Sequence, residues 1–337
     1  MLRRSSTRLA AGLLGAAALL PVVTPSTATA YPVAPEVETA ASTIGSSALP
    51  TQLNSILPPN VFIPGFHAPQ AAPTPWAPTM DIPAANGTNG TVWIDTAYGP
   101  RRFLIWVPAG YDPQYIWPVM VGIPAYEDSS ESFRNYSRMR ESTVGREAII
   151  VYPDSWNLSW EGAPTSSSQP GQDIEFIRQV IDRTAASYHI DWGRIYATGM
   201  STGSGMAAIL GCHASDLFAG VAPVSGAYYD TVEMNCLNNP IAMIEVHGYS
   251  DEQHAYNGGF RYGLPYFGGR ELMERYAVRN RCSAGRTEIP LPGGATKVRA
   301  EGCLAATEHI GVPGGHLWWY VPNTAEEIWG FLRAQHK

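Results

Sequence analysis

The sequence predicts an α/β fold in which a mostly parallel sheet carries helices on both faces. Three observations carry that expectation. From residue 90 onward, short apolar runs alternate with segments of helical period, the pattern of repeated strand–helix units. Runs such as "WPVMVGI" and "EAIIVYP" are apolar throughout instead of alternating with polar residues, as strands buried on both faces are. One β-branched and aromatic run, "RIYATGMSTGSGMA", stops at a glycine-bracketed serine and turns directly into a helical pattern.

The elements follow in order. "TVWIDTAYG" and "RRFLIWVP" read as two strands joined as a hairpin at Gly99-Pro100. After the two apolar strands, "GQDIEFIRQVIDRTAASYHI" places Ile174, Ile177, Ile181, Ala185 and Tyr188 on one helical face, with Asp173 near the N-terminus, where the helix dipole favours an acid. "RIYAT" is a strand and "GSGMAAILGC" a helix. "IAMIEVHG" is a strand, "GRELMERYAVRNRC" a helix and "AATEHIGV" a strand. "TAEEIWGFLRAQH" is a last helix, opened by a Thr324-x-x-Glu327 capping box. There is no internal repeat.

With 337 residues and 45% hydrophobic content, the chain is long enough for a sizeable core. Residues 1–30 read as a cleaved signal peptide: Arg3, Arg4 and Arg8 precede an apolar run from Leu9 to Val23, and small residues end in "TATA" before Tyr31. Residues 31–89 are rich in Pro, Ala, Ser and Thr and read as a linker or disordered arm ahead of a folded α/β domain at 90–337. Formal net charge is −7 and would become more negative on loss of three arginines with the signal. Lys297 and Lys337 are the only lysines. A nucleic-acid or anionic-membrane partner would need a basic stripe, and none is present. Acidity and an export signal suit a secreted protein. Four cysteines in an exported chain point to two disulfides, and proximity in sequence favours Cys212–Cys236 and Cys282–Cys303. No C-x-x-C or H-E-x-x-H spacing suggests a metal site, and no cofactor is expected.

"GMSTG", Gly199 to Gly203, is a G-x-S-x-G turn at a strand-to-helix junction, the arrangement that lifts a serine oxygen above the carboxyl edge of a sheet. Its two glycines remove side chains that would collide across so tight a turn. A serine hydroxyl needs a base to take its proton, and the base needs an acid to orient it. On such a sheet they follow in the chain order serine, acid, histidine. Four histidines lie after residue 250. His309 falls inside a strand and His336 at the chain end; His254 reads as loop surface. His316 ends "VPGGH", a glycine-rich loop after a strand, and is the expected base. Asp251 follows the strand "IAMIEVHG" to the same edge and is the expected acid, with His247 read as a structural histidine nearby. Asp216, Asp230 and Glu233 lie on less regular segments, and Glu245 lies inside the strand. The tetrahedral oxyanion needs two backbone donors, expected from Thr202 and from Ala125 or Tyr126, since Pro124 has no N–H. Trp156, Trp160 and Trp318 are candidates for the walls of an apolar or aromatic cleft.

The stretches "RIYATGMSTGSGMA", "DLFAGVAPVSGAYY", "VHGYSDEQHAYNGG" and "GVPGGHLWW", with Cys282 and Cys303 bracketing a segment before the last strand, carry a resemblance that runs from about Thr91 to the C-terminus. The chain resembles secreted esterases of the polyhydroxybutyrate depolymerase and feruloyl esterase type, which have the α/β-hydrolase fold. The resemblance implies Ser201 as nucleophile, His316 as base and Asp251 as its acid. It also implies a substrate that is an ester, free or attached to a polymer or polysaccharide. One departure stands out: where such esterases carry a His-Gly pair, this chain has Pro124-Ala125 in "GIPAYEDSSESF". The competing expectations are an acyltransferase with the same triad, a catalytically weakened surface-binding protein, and a peptidase on the same scaffold.

Overall fold

The computed structural model describes residues 85–337. The expected signal peptide, and all but the end of the expected linker, lie outside the described residues. In chain order, β1 (Thr88–Thr96), β2 (Gly99–Val107), β3 (Trp117–Ile123), β4 (Ile149–Pro153), β5 (Ile190–Met200) and β6 (Gly220–Val224) are followed by the two-residue β7 (Tyr228–Tyr229). Then come β8 (Ala242–Gly248), β9 (Gly259–Arg261), β10 (Leu264–Phe267), β11 (Arg286–Pro290), β12 (Thr296–Ala300) and β13 (Thr307–Val312). Ten of these form one sheet in the order β1-β2-β4-β3-β5-β6-β8-β13-β12-β11. From β4 to β13 every neighbouring pair is parallel. Antiparallel strands complete the sheet at both edges. The first hairpin turns at Ala97-Tyr98, with Thr96 paired to Gly99, so Gly99-Pro100 open the second strand instead of forming the turn.

Alternate residues of the parallel strands feed two separate cores, as the period of two requires. Phe103, Ile105, Val119, Val121, Ile149 and Val151 pack on one face with α3 (Gln172–Ala185), α4 (Thr202–His213) and α5 (Gly269–Arg279). Leu104, Met120, Ile150 and Tyr152 pack on the other with α1 (Ser130–Ser137), α2 (Val144–Glu147) and α6 (Thr324–Leu332). The last helix begins one residue earlier than its capping-box spacing suggests. Asn323 is the N-cap and accepts from the Glu326 N–H, while Thr324 is buried inside the first turn.

Asp173, at the start of α3, does more than face the helix dipole. It pairs with Arg101 of β2 at 2.6 Å, both side chains almost fully buried, and the Asp173 and Glu161 carboxyl groups each accept from the other residue's backbone N–H. Both expected disulfides are present, Cys212–Cys236 and Cys282–Cys303. No described helix is long and apolar enough to cross a membrane.

Candidate active site

The carboxyl ends of β3, β5, β8 and β13 carry the four segments from which site residues were expected. β5 ends at Met200, and Ser201 follows with φ 58° and ψ −117°, a left-handed conformation that a non-glycine residue adopts only under strain. Surrounding structure holds it there: the Ser201 N–H donates to the Val224 carbonyl at 3.0 Å, and the Ser201 carbonyl accepts from the N–H groups of Ser204 and Gly205. The serine is 8% exposed at the head of α4.

The glycines that bracket it serve as the turn demands. A Cβ on Gly199 would lie 2.3 Å from the Gly203 carbonyl oxygen, and a Cβ on Gly203 would lie 2.3 Å and 2.4 Å from the carbonyls of Ile123 and Pro124. The loop after β3 is therefore seated directly against the serine turn. Trp160 fixes that loop from the other side, its indole N–H donating to the Pro124 carbonyl at 2.9 Å. In a planar trans peptide the N–H points opposite to its C=O, so the Ala125 N–H faces away from Trp160. Glu127 spends its N–H on the Leu158 carbonyl. Among the described residues, the N–H groups of Ala125, Tyr126 and Thr202 meet no acceptor.

His316 and Asp251 come together: Nδ1 of His316 donates to Oδ2 of Asp251 at 2.8 Å, with the carboxylate fully buried and the imidazole 11% exposed. The other carboxylate oxygen accepts from the N–H groups of Gln253 and His254. Burial opposes ionisation of Asp251, but hydrogen bonds from His247, His316 and the His254 backbone outweigh it and hold the carboxyl well below the usual range.

His254 differs from its expected surface position. It is buried, its ring stands edge-on to that of His316 with centroids 4.9 Å apart, and its Nδ1–H donates to the Ser225 carbonyl at 3.0 Å. Burial pushes it down to about 4, so it is neutral at working pH. Ser225, at the end of β6, is a supporting residue that the sequence did not reveal. It is held at φ 53°, and its hydroxyl donates to the carbonyl of Leu317, beside His316.

The tryptophans are where the structure departs furthest from expectation. Trp160 is fully buried in one core, while Trp318 is buried in the other, edge-on to Phe133. Trp156 lies against Gly99 at the first hairpin. The pocket at the serine turn is walled instead by Gly162 to Thr165, Thr202, Tyr229, His254 and Tyr262. Among the described residues, one group of potential metal ligands lies close together, Cys212, Glu233 and Cys236, and its two sulfurs are joined in a disulfide.

The fold has clear counterparts among solved structures. The acetyl xylan esterase from Aspergillus awamori superposes with a TM-score of 0.55 at 15% identity, over 72% of this chain and 99% of that enzyme. A thermostable esterase superposes with a TM-score of 0.51 at 16% identity, over 73% of this chain and 63% of its own. At the sequence level, a probable feruloyl esterase C from Aspergillus terreus is 26% identical over 236 residues, 68% of this chain and 79% of that protein. The chain has the α/β-hydrolase fold and is similar in sequence to feruloyl esterases. Feruloyl esterase C of Emericella nidulans is likewise 26% identical over 236 residues, 68% of this chain and 79% of that enzyme. Feruloyl esterase D of Neurospora crassa is 27% identical over 217 residues, 64% and 67% of the two chains. No family model matches the chain.

Proposed function

We propose that the protein is a secreted serine carboxylic-ester hydrolase acting through an acyl-enzyme. The observation that carries this is the Ser201 turn, seated at the same sheet edge as the His316–Asp251 pair. Ser201 Oγ attacks the ester carbonyl while Nε2 of His316 takes its proton. Asp251 stabilises the resulting imidazolium and keeps the tautomer with hydrogen on Nδ1. The tetrahedral oxyanion is met by the N–H groups of Thr202 and Tyr126, and the start of α4 adds a favourable dipole. His316 then protonates the leaving alcohol, and water repeats the cycle with the acyl group. No cofactor is needed. The loop that supplies Tyr126 has Pro124-Ala125 in place of His-Gly, but the hole uses main-chain donors, and the Tyr126 N–H meets no other acceptor among the described residues. Export is supported by the two disulfides.

The feruloyl and acetyl xylan esterases named above support small acyl groups, aromatic or acetyl, carried on an alcohol such as a sugar. The test compares hydrolysis of methyl ferulate with that of p-nitrophenyl acetate by the protein lacking residues 1–30. Release of acid from either ester supports the reading. A folded protein that cleaves neither, or that forms a new ester only when an acceptor alcohol is added, overturns it.

Gly203→Ala tests the seat of the oxyanion loop. Its methyl group would meet two carbonyl oxygens that cannot swing aside, so the loop must move. We expect kcat to fall about tenfold or more, with an unchanged far-UV circular dichroism spectrum. A wild-type kcat would show that the loop has no part in the reaction.

A further inference from the structure

Below the His316–Asp251 pair lies a second set of buried ionisable groups that the proposed mechanism does not use. Glu245 and His247 sit two residues apart on β8, so both face the same side of the sheet, and both are fully buried. Nδ1 of His247 lies 2.9 Å from Oε1 of Glu245. Its Nε2 lies 2.7 Å from the backbone carbonyl of His254 and 3.4 Å from Oδ2 of Asp251, the same oxygen that accepts from His316.

The hydrogen-bond partners of this ring suit a cation. A carbonyl oxygen only accepts, so Nε2 must carry a hydrogen toward His254. Glu245 accepts from the Tyr228 hydroxyl at Oε1 and faces Nδ1 of His309 at Oε2. An ionised Glu245 accepts at both oxygens, and Nδ1 of His247 then carries a hydrogen as well. A ring with hydrogen on both nitrogens is an imidazolium. His309 needs no such charge, because its Nε2 can accept from the Tyr256 hydroxyl at 2.8 Å.

We propose that His247 is a positioning residue which, as a buried cation held by Glu245, shares the Asp251 carboxylate with His316 and keeps the His316 base unprotonated in mildly acidic solution. The inference rests on the reading of His316 as the base. Its logic is electrostatic: a fixed positive charge on the far side of Asp251 offsets part of the attraction that would otherwise favour a proton on His316. The same cation also pins the turn from Asp251 to His254 through the His254 carbonyl, and the His254 ring abuts His316. The other groups that face His247 and His316 are consistent with this. Tyr256 packs edge-on against His247, His254 is neutral, and Arg261 and Arg270 act on His254 and Tyr256 from the periphery. Glu245, pulled down to about 2, and His247, pushed up to about 10, move as the pairing requires: burial opposes both shifts and their mutual attraction prevails.

The experiment is a pH titration of the full protein with 15N-labelled histidine, assigned with His247→Gln and His316→Ala. In the wild type, both ring nitrogens of His247 are expected to stay protonated between about pH 6 and pH 8, where an ordinary histidine loses its proton. In His247→Gln the midpoint of His316 is expected to rise by about one pH unit, and the acid limb of kcat/KM to rise with it. Glu245→Gln can keep one hydrogen bond to each neighbour while discharging His247, so it separates charge from scaffolding. The same upward shift is expected there, and a His316 midpoint unchanged in the folded variants overturns the proposal. So does a His247 that is neutral at about pH 7 in the wild type, a result that stands even if neither variant folds. Absence of esterase activity in the wild type would instead refute the reading of the site, while the titration still reports whether His247 and His316 are coupled.

Discussion

Ser201→Ala is expected to lower kcat/KM for p-nitrophenyl acetate by about ten-thousandfold or more. The effect is that large because no other hydroxyl is raised at the sheet edge by the same turn: Thr202, the next residue, has already entered α4. Removing the oxygen should leave the fold intact and relieve little packing, since alanine keeps the Cβ that the strained φ must accommodate. His316→Ala should cost a similar factor, and the double variant little more than either alone, because nucleophile and base act as a unit. Steady-state assays with purified variants decide the matter. An alanine variant retaining a tenth of wild-type activity would mean that catalysis proceeds through another group, and the acyl-enzyme reading would be lost.

Arg101→Met should destabilise the protein by about 3–5 kcal/mol at neutral pH, the cost of leaving a buried ion pair without its cation. Arg101 donates to Asp173 and to the Asp154 carbonyl, and its guanidinium lies 3.7 Å over the ring of Phe176. Methionine replaces most of the stem but none of the charge, so Asp173 would remain in the interior with only hydrogen bonds and with Glu161 beside it. Glu161 already feels this environment: burial and the neighbouring Asp173 push its carboxyl up to about 8. The sign of the linkage follows. An acid whose folded value is raised stabilises the protein below its ordinary value near 4.5, and that contribution fades as pH rises through about 8. The penalty of Arg101→Met should accordingly shrink in acid, where the carboxyls take up protons, and urea unfolding at two pH values measures both effects. Equal stability of variant and wild type at neutral pH would contradict the account.

The features legible in the sequence were those set by local chemistry. The parallel strands declare themselves because burial on both faces leaves no room for polar alternation. The glycines of "GMSTG" and "VPGGH" are legible because tight backbone geometry restricts the residues that fit. The chain order of serine, acid and histidine, together with the places of Asp251 and His316 just after strands, selected an aspartate and a histidine that meet at 2.8 Å. What could not be read depends on contacts between distant segments. Whether Trp160 lines a cleft or fills a core is decided by the β3 loop and α3 around it, and the run "DSWNLSW" carries no periodicity to tell the two apart. His254 looked exposed because its loop is polar, yet the Ser225 carbonyl, 29 residues earlier in the chain, draws the ring inward. Glu245 was visible only as a polar residue in a strand, and His247 only as a structural histidine near the site. Their meaning emerges from Tyr228, His309 and Asp251, none of which is adjacent to them in sequence.

The serine turn is usually thought of as a local device, but α4 makes its placement a property of a whole buried rod. Ten of the twelve residues of that helix are buried, and Gly211, in its last turn, is packed so closely that a Cβ would lie 2.2 Å from the Tyr276 hydroxyl and 2.9 Å from Val221. The helix is seated at its far end by β6 and α5 and fastened there by Cys212–Cys236. At a rise of about 1.5 Å per residue, that anchorage is some 15 Å from Ser201. The aim of the serine oxygen is thus set at a distance: a bulkier residue at Gly211 would push the rod away from β6 and α5, and the displacement would be felt at the other end, in the register between nucleophile and base.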